Sequence, residues 1–177
     1  MTALDRRTLL ALLAAGVAEA HLEAAAGRLL AWQAAPSAYT PSFFTRDEHR
    51  LVDEASELIL PATTRSPGAR AARVADYLDL VVGHSPIETQ QAWRRELTAL
   101  DARARDERGR GFVALDDAGR RAVLDALCTH EEHPGDDATR AFVRLKHATI
   151  DAYYSTAIGL RQELGYLGPQ MLAEFKA

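Results

Sequence analysis

The stretch FFTRDEHRLVDEASELILP, residues 43–61, decides the fold class, because it carries every local signal of an amphipathic helix. Thr45 is followed three residues later by Glu48, and this spacing predicts a capping box at the start of the helix. Pro61 ends the run. Between these signals the apolar side chains recur at helical spacing, at Leu51, Val52, Ala55, Leu58 and Ile59. The stretch therefore predicts one helix with a single apolar face, which other elements must cover.

The chain downstream of this helix repeats the pattern. A second amphipathic helix is predicted over residues 69–83, and a third begins at a cap on Ser85 with Pro86 in its first position. A short capped helix follows Phe112, which we expect to anchor it in the core. The last long helical pattern begins near residue 138, and glycines towards its end predict turns. No pair of strands with hairpin signals occurs.

Length and composition agree with an all-α fold. The 177 residues are sufficient for one domain with its own hydrophobic core. We predict a single irregular helical domain over residues 35–177 and an N-terminal leader helix over residues 1–34. A net charge of −4 argues against a nucleic-acid partner, which requires a basic surface. No apolar run reaches the roughly 18 residues of a membrane-spanning helix, so no transmembrane span is predicted.

The N-terminus is typical of an export signal. Arg6 and Arg7 precede the apolar stretch TLLALLAAGVA, and residues 18–20 form an A-x-A cleavage site. Paired arginines in this position are typical of the twin-arginine pathway, which exports folded proteins. We therefore expect a periplasmic protein. The alternative is an ordinary amphipathic helix that begins with two arginines, and cleavage of the leader stays open.

Candidate chemistry within the chain is sparse. The best metal site is the cluster His130, Glu131, Glu132 and His133, with His147 as a further ligand. Its spacing differs from HExxH, and a solvated loop is the favoured interpretation. No nucleophile elbow and no glycine-rich phosphate loop occurs, so we predict no catalytic, metal-binding or cofactor-binding residue here. The single cysteine, Cys128, excludes an internal disulfide; whether it pairs with another chain stays open.

Three segments in order resemble the gluconate 2-dehydrogenase subunit 3 family. Residues 43–79 match its F-[FT]-T-x-x-E start, its I-[IL]-P helix end, its P-G-A turn and a helix that closes on [FY]-[IL]-D. Residues 111–127 resemble its G-x-x-F-x-x-L segment, and residues 142–169 resemble its L-K-x-L-T ending with a Tyr-Tyr pair. The chain departs from the family at Ala148, Ala152, Ser155, Thr156 and Ala157.

The resemblance implies a non-catalytic small subunit of an FAD-dependent sugar or sugar-acid dehydrogenase. Substrates in such complexes include glucose, gluconate, fructose and glucosides. The large catalytic subunit, of the glucose–methanol–choline type, binds the FAD, and a cytochrome c subunit often accepts the electrons. The small subunit supports the folding, stability and twin-arginine export of the flavoprotein. The resemblance thus implies a reason for the export signal on a chain without a cofactor motif: the bound flavoprotein folds around its FAD before export, and the small subunit carries the signal for both.

The C-terminal segment is the predicted partner interface. Tyrosines cover a large area at low entropic cost, and glycines allow a close backbone approach. The predicted interface residues are Tyr153, Tyr154, Gly165, Tyr166, Leu167 and Gly168. Two alternatives remain beside the subunit hypothesis. One is a small helical metal-binding enzyme that uses the cluster at residues 130–133, and the other is a membrane-surface protein held by its leader.

Overall fold

The computed structural model describes residues 39–165, apart from the side chain of Gln162, and these residues belong to one compact unit. They contain helices and no β-strand, so the predicted all-α class is confirmed. The leader at residues 1–34, with Arg6 and Arg7, lies outside the described residues, as do Tyr166, Leu167 and Gly168. The α-helices are α1 (Arg46–Ile59), α2 (Gly68–Ala71), α3 (Val74–Gly83), α4 (Ile87–Arg108), α5 (Asp117–Cys128) and α6 (Asp137–Tyr154). A 3₁₀ turn (Phe112–Ala114) precedes α5, and a π-helix (Ile158–Glu163) follows α6.

Side-chain caps begin three of these helices. The predicted capping box of α1 is confirmed: Glu48 N donates to Thr45 Oγ1, and Thr45 N donates to Glu48 Oε2. Asp116 caps α5 by accepting from Gly119 N at 2.8 Å, and Asp136 caps α6 in the same way. These caps satisfy backbone N–H groups that a helix start would otherwise leave without partners.

Helix α6 is the central element of the fold. It packs along α4 over the longest helix–helix contact and also contacts α1, α3 and α5. Phe112 is fully buried as predicted and joins the core beside these helices. The core side chains that are almost completely buried include Val52, Val74, Leu97, Leu100, Val123, Leu127 and Leu145.

Two local predictions are wrong. The helix expected over residues 69–83 is divided, because Arg73 adopts a left-handed conformation with φ 56° between α2 and α3. Ser85 does not cap α4; its hydroxyl donates to Val81 O at 2.9 Å and so belongs to the end of α3, while Pro86 occupies the cap position. At Ser85 the competing partner is local, the carbonyl four residues earlier in α3.

A buried carboxylate fixes the route of the chain into α1. Asp79 on α3 accepts hydrogen bonds from Phe43 N and Phe44 N on one oxygen and from Tyr39 Oη, Ser42 N and Ser42 Oγ on the other. Burial alone would raise the pKa of Asp79, but these hydrogen bonds outweigh it and hold the pKa below its usual range. Asp79 therefore stays ionised and ties residues 39–44 to α3.

None of the helices between Tyr39 and Gly165 is long and apolar enough to cross a lipid bilayer.

Candidate partner-binding surface

The two adjacent tyrosines of the predicted interface lie in different environments. Tyr153 is completely buried, and its hydroxyl lies 2.8 Å from Ser66 Oγ in the loop after α1. Burial raises the pKa of this phenol. Gly159 passes so close to the carbonyl of Tyr153 that a Cβ there would overlap it. In contrast to the sequence-based expectation, Tyr153 is a core side chain and exposes no surface to a partner.

Tyr154 is half-buried, and its ring lies edge-on to that of Tyr153 with the centroids 5.2 Å apart. Its hydroxyl donates to Glu163 Oε1 at 2.8 Å, and this hydrogen bond raises the pKa of the phenol. The neighbouring hydroxyls of Tyr153 and Tyr154 hold the pKa of Glu163 below its usual range. The π-helix is thereby held against the end of α6, and the start of the predicted interface segment has a defined position.

Beyond the π-helix, the described part of the interface segment is exposed. Leu164 leaves 60% of its surface in solvent. Gly165 has a φ of +62°, a conformation that favours glycine, and no other residue within 39–165 lies within 4 Å of a Cβ placed there. Among these residues, none blocks the approach to its backbone.

An apolar groove of about 450 Å³ adjoins this segment, with Tyr154 in its wall. The groove lies between the end of α1, the outer face of α5 and the second half of α6. Leu124 and Phe142 are buried and form its floor. Its walls are partly exposed apolar side chains, namely Leu58, Ile59, Leu60, Ile150 and Tyr154. Its rim is polar and consists of Arg121, Asp125, Cys128 and Lys146.

The sequence did not single out this groove. Helical periodicity places Leu58 and Ile59 on the apolar face of α1, but it cannot tell which part of that face the protein's own core covers. The available signal was the run Leu58-Ile59-Leu60, because three consecutive large apolar residues at a helix end exceed the width of one face.

The candidate metal ligands do not come together. In residues 39–165, no three His, Cys, Asp or Glu side chains are placed to hold a metal ion. Glu131 is instead paired with Lys146, with Nζ 2.6 Å from Oε2. His130 and His133 are exposed in the turn after α5, and His147 lies in a separate groove with Asp151. This arrangement does not favour the metalloenzyme alternative.

The residues that carry the family resemblance fall into two groups. Members of the first group hold the subunit together: Asp79 binds the backbone of the Phe-Phe pair, Gly68 lies against Ala62, and Thr149 Oγ1 lies 3.0 Å from Ser56 Oγ. Members of the second group line the groove, and they are Ile59, Leu60 and Tyr154. The groove is therefore one place where the family pattern reaches the surface; Thr45 and Pro61 are others.

Comparison with known proteins identifies the family. The model of the family described as gluconate 2-dehydrogenase subunit 3 matches residues 46–168, more than half of the chain. No curated protein and no solved structure matches the chain significantly. The matched range begins with α1, includes all the helices described above and extends to the glycine that follows Leu167. The chain belongs to the gluconate 2-dehydrogenase subunit 3 family.

Proposed function

We propose that this chain is the non-catalytic small subunit of a periplasmic FAD-dependent sugar or sugar-acid dehydrogenase. The observation that carries this proposal is the family match over residues 46–168, since the family takes its description from a subunit of a dehydrogenase. The exposed apolar groove beside the C-terminal segment supports it, because such surfaces commonly mark protein–protein interfaces.

The chemistry in this proposal belongs to other chains. A large catalytic subunit of the glucose–methanol–choline type binds the FAD and oxidises the sugar, and a cytochrome c subunit accepts the electrons. The small subunit contributes apolar surface that stabilises the folded flavoprotein. Twin-arginine export of the complex would begin at Arg6 and Arg7, because that pathway carries proteins that have already folded around a cofactor.

The export part is tested by changing Arg6→Lys and Arg7→Lys together in cells that express both subunits. We expect both proteins to remain in the cytoplasm, with dehydrogenase activity absent from the periplasmic fraction. The matched control is Arg28→Lys, which keeps the same chemistry outside the arginine pair. Normal periplasmic levels of the flavoprotein in the double variant would show that it does not depend on this leader.

A further inference from the structure

We infer that the groove between α1, α5 and α6 receives an apolar helical segment of the catalytic flavoprotein, with a carboxylate of that segment against Arg121. This inference rests on the proposed function, and it specifies where and how the partner binds. The groove is open along its length, and its wall residue Ile150 is 37% exposed.

The dimensions of the groove fit a helix. Along α5 its lining extends from Arg121 to Cys128, about 10 Å at 1.5 Å per residue. Along α6 it extends from Phe142 to Tyr154, about 18 Å by the same measure. Two to three turns of a partner helix therefore match its length, and apolar side chains at i, i+3 or i+4, and i+7 would face its floor.

The charges at the rim define the polar edge of the occupant. Lys146 is already neutralised by Glu131, and that hydrogen bond raises the pKa of the lysine. Arg121 and Asp125 lie one turn apart on α5, both exposed, and neither has a hydrogen bond or ion pair with residues 39–165. A segment that docks here would place a carboxylate next to Arg121 and a cation next to Asp125, so that both charges are paired. Its apolar side chains would cover Leu58 and Ile150.

The position of the groove supports a partner from the same complex. Tyr154 lines the groove and also donates a hydrogen bond to Glu163, which immediately precedes Leu164 and Gly165 in the chain. A catalytic subunit that occupies the groove would therefore bind beside the residue that anchors the start of the predicted interface segment.

Ile150→Glu in the full chain, co-expressed with its flavoprotein, tests the inference. A carboxylate in the groove wall would have to lose its hydration when apolar side chains of the partner cover it, so we expect the affinity for the flavoprotein to fall at least about tenfold. Leu80→Glu is the matched control, because Leu80 is 47% exposed on α3 and does not line the groove. Both variants should keep the native circular dichroism spectrum and melting temperature. An affinity of the Ile150→Glu variant equal to that of the native chain would overturn the groove as the docking site.

Cys128 provides a second measurement that does not require a substitution. It is the one cysteine of the chain and lies exposed at the groove rim. Its alkylation by N-ethylmaleimide should be at least about tenfold slower in the complex than in the free chain, because a docked segment excludes water and reagent. Unchanged alkylation in a complex that contains the flavoprotein would contradict the inference and leave the subunit proposal standing.

Other occupants give different results. Protection of Cys128 in the isolated chain that disappears on dilution would identify a second copy of this chain. Protection in the isolated chain that disappears on truncation after Gly165 would identify the chain's own C-terminal residues. Either result overturns the inference. Failure of the native chain to bind any flavoprotein would reject both the inference and the proposed function.

Discussion

At the scale of single residues, the carboxylate of Asp79 is the best-defined polar group of the described chain. Both of its oxygens accept backbone hydrogen bonds, at 2.7 Å from Ser42 N and 2.6 Å from Phe44 N. An amide cannot replace it, since one end of an asparagine would direct N–H groups at these donors. This network gives a structural reason for the aspartate that closes the [FY]-[IL]-D motif of the family.

Asp79→Asn should lower the free energy of unfolding by about 2 kcal/mol or more at pH 7. The folded-state pKa of Asp79 lies below its usual range, so its stabilisation is complete above the ordinary carboxyl pKa of about 3.9 and is lost as the pH falls through the folded-state pKa. The difference between the native chain and the variant should therefore persist from pH 8 to about pH 5 and shrink below about pH 3.9. Urea denaturation at several pH values measures it. The exposed Asp106→Asn is the control, and an equal effect there would contradict the role of Asp79.

The adjacent tyrosines of α6 should respond oppositely to truncation. Tyr153→Ala removes a completely buried ring and should destabilise the subunit by about 3–5 kcal/mol. Tyr154→Ala removes a half-buried ring from the groove wall and should mainly weaken binding of the catalytic subunit, at least about tenfold. Urea denaturation of the free subunit beside a binding titration separates the two effects. A larger loss of stability for Tyr154→Ala would place that residue in the core instead.

At the scale of elements, the turn between α1 and α2 depends on one glycine. Gly68 has a φ of +85°, and a Cβ there would lie 2.7 Å from Ala62 N. The position therefore excludes a side chain for two separate reasons, conformation and space.

Gly68→Ala should destabilise the subunit by about 2 kcal/mol or more, from the left-handed conformation and the contact together. Two controls separate these terms. Gly109 has a φ of +74°, and a Cβ there would meet no described atom within 4 Å. Gly109→Ala should therefore lower the free energy of unfolding by the cost of the left-handed conformation alone, about 1 kcal/mol. Gly135→Ala, in open space without a positive φ, should be neutral or slightly stabilising. Equal unfolding midpoints for the Gly68 and Gly135 variants in urea would contradict this explanation of the turn.

The elements that local chemistry determines could be predicted from the sequence. The capping box at Thr45 and the buried anchor Phe112 are examples, because each depends on residues a few positions apart. The break at Arg73 could not be predicted, since the sequence around it is a good helix former. In the folded subunit, Arg73 Nε donates to Asp76, whose other carboxylate oxygen lies 2.9 Å from His49 Nε2 on α1, a contact that the local sequence does not reveal.

The same reasoning explains how far the candidate surface could be predicted. The tyrosine pair and the glycines led to the prediction of an interface in the C-terminal segment, because interface residues have a recognisable composition. Sequence could not decide which tyrosine points inward, since adjacent helical residues differ by about 100° and the core decides which side is covered. The groove could not be predicted from the sequence, because its lining combines residues such as Ile59 and Ile150, which are far apart in the chain and come together only in the folded subunit.

At the scale of the whole molecule, the described residues form a helical body whose polar groups serve mainly to hold its own elements together. Glu96, for example, is buried and pairs with Arg144 through two hydrogen bonds of 2.6 and 3.0 Å. This internal bonding leaves apolar surface open at the groove, at Leu164, and at Leu80, Val81 and Ile87 on α3 and α4. Exposed apolar surface of this kind supports the binding role proposed above.

The most direct test of the subunit proposal is to purify this chain by an affinity tag from cells that also express the other subunits of the dehydrogenase. The flavin content of the purified complex is then measured. We predict that the affinity-purified complex contains a flavoprotein, carries releasable FAD and reduces an electron-accepting dye when a sugar or sugar acid is added. The Ile150→Glu variant, purified in the same way, should carry at least about tenfold less flavin if capture follows affinity. A native chain that is recovered without a flavoprotein, or that carries flavin and oxidises sugar by itself, would contradict the account.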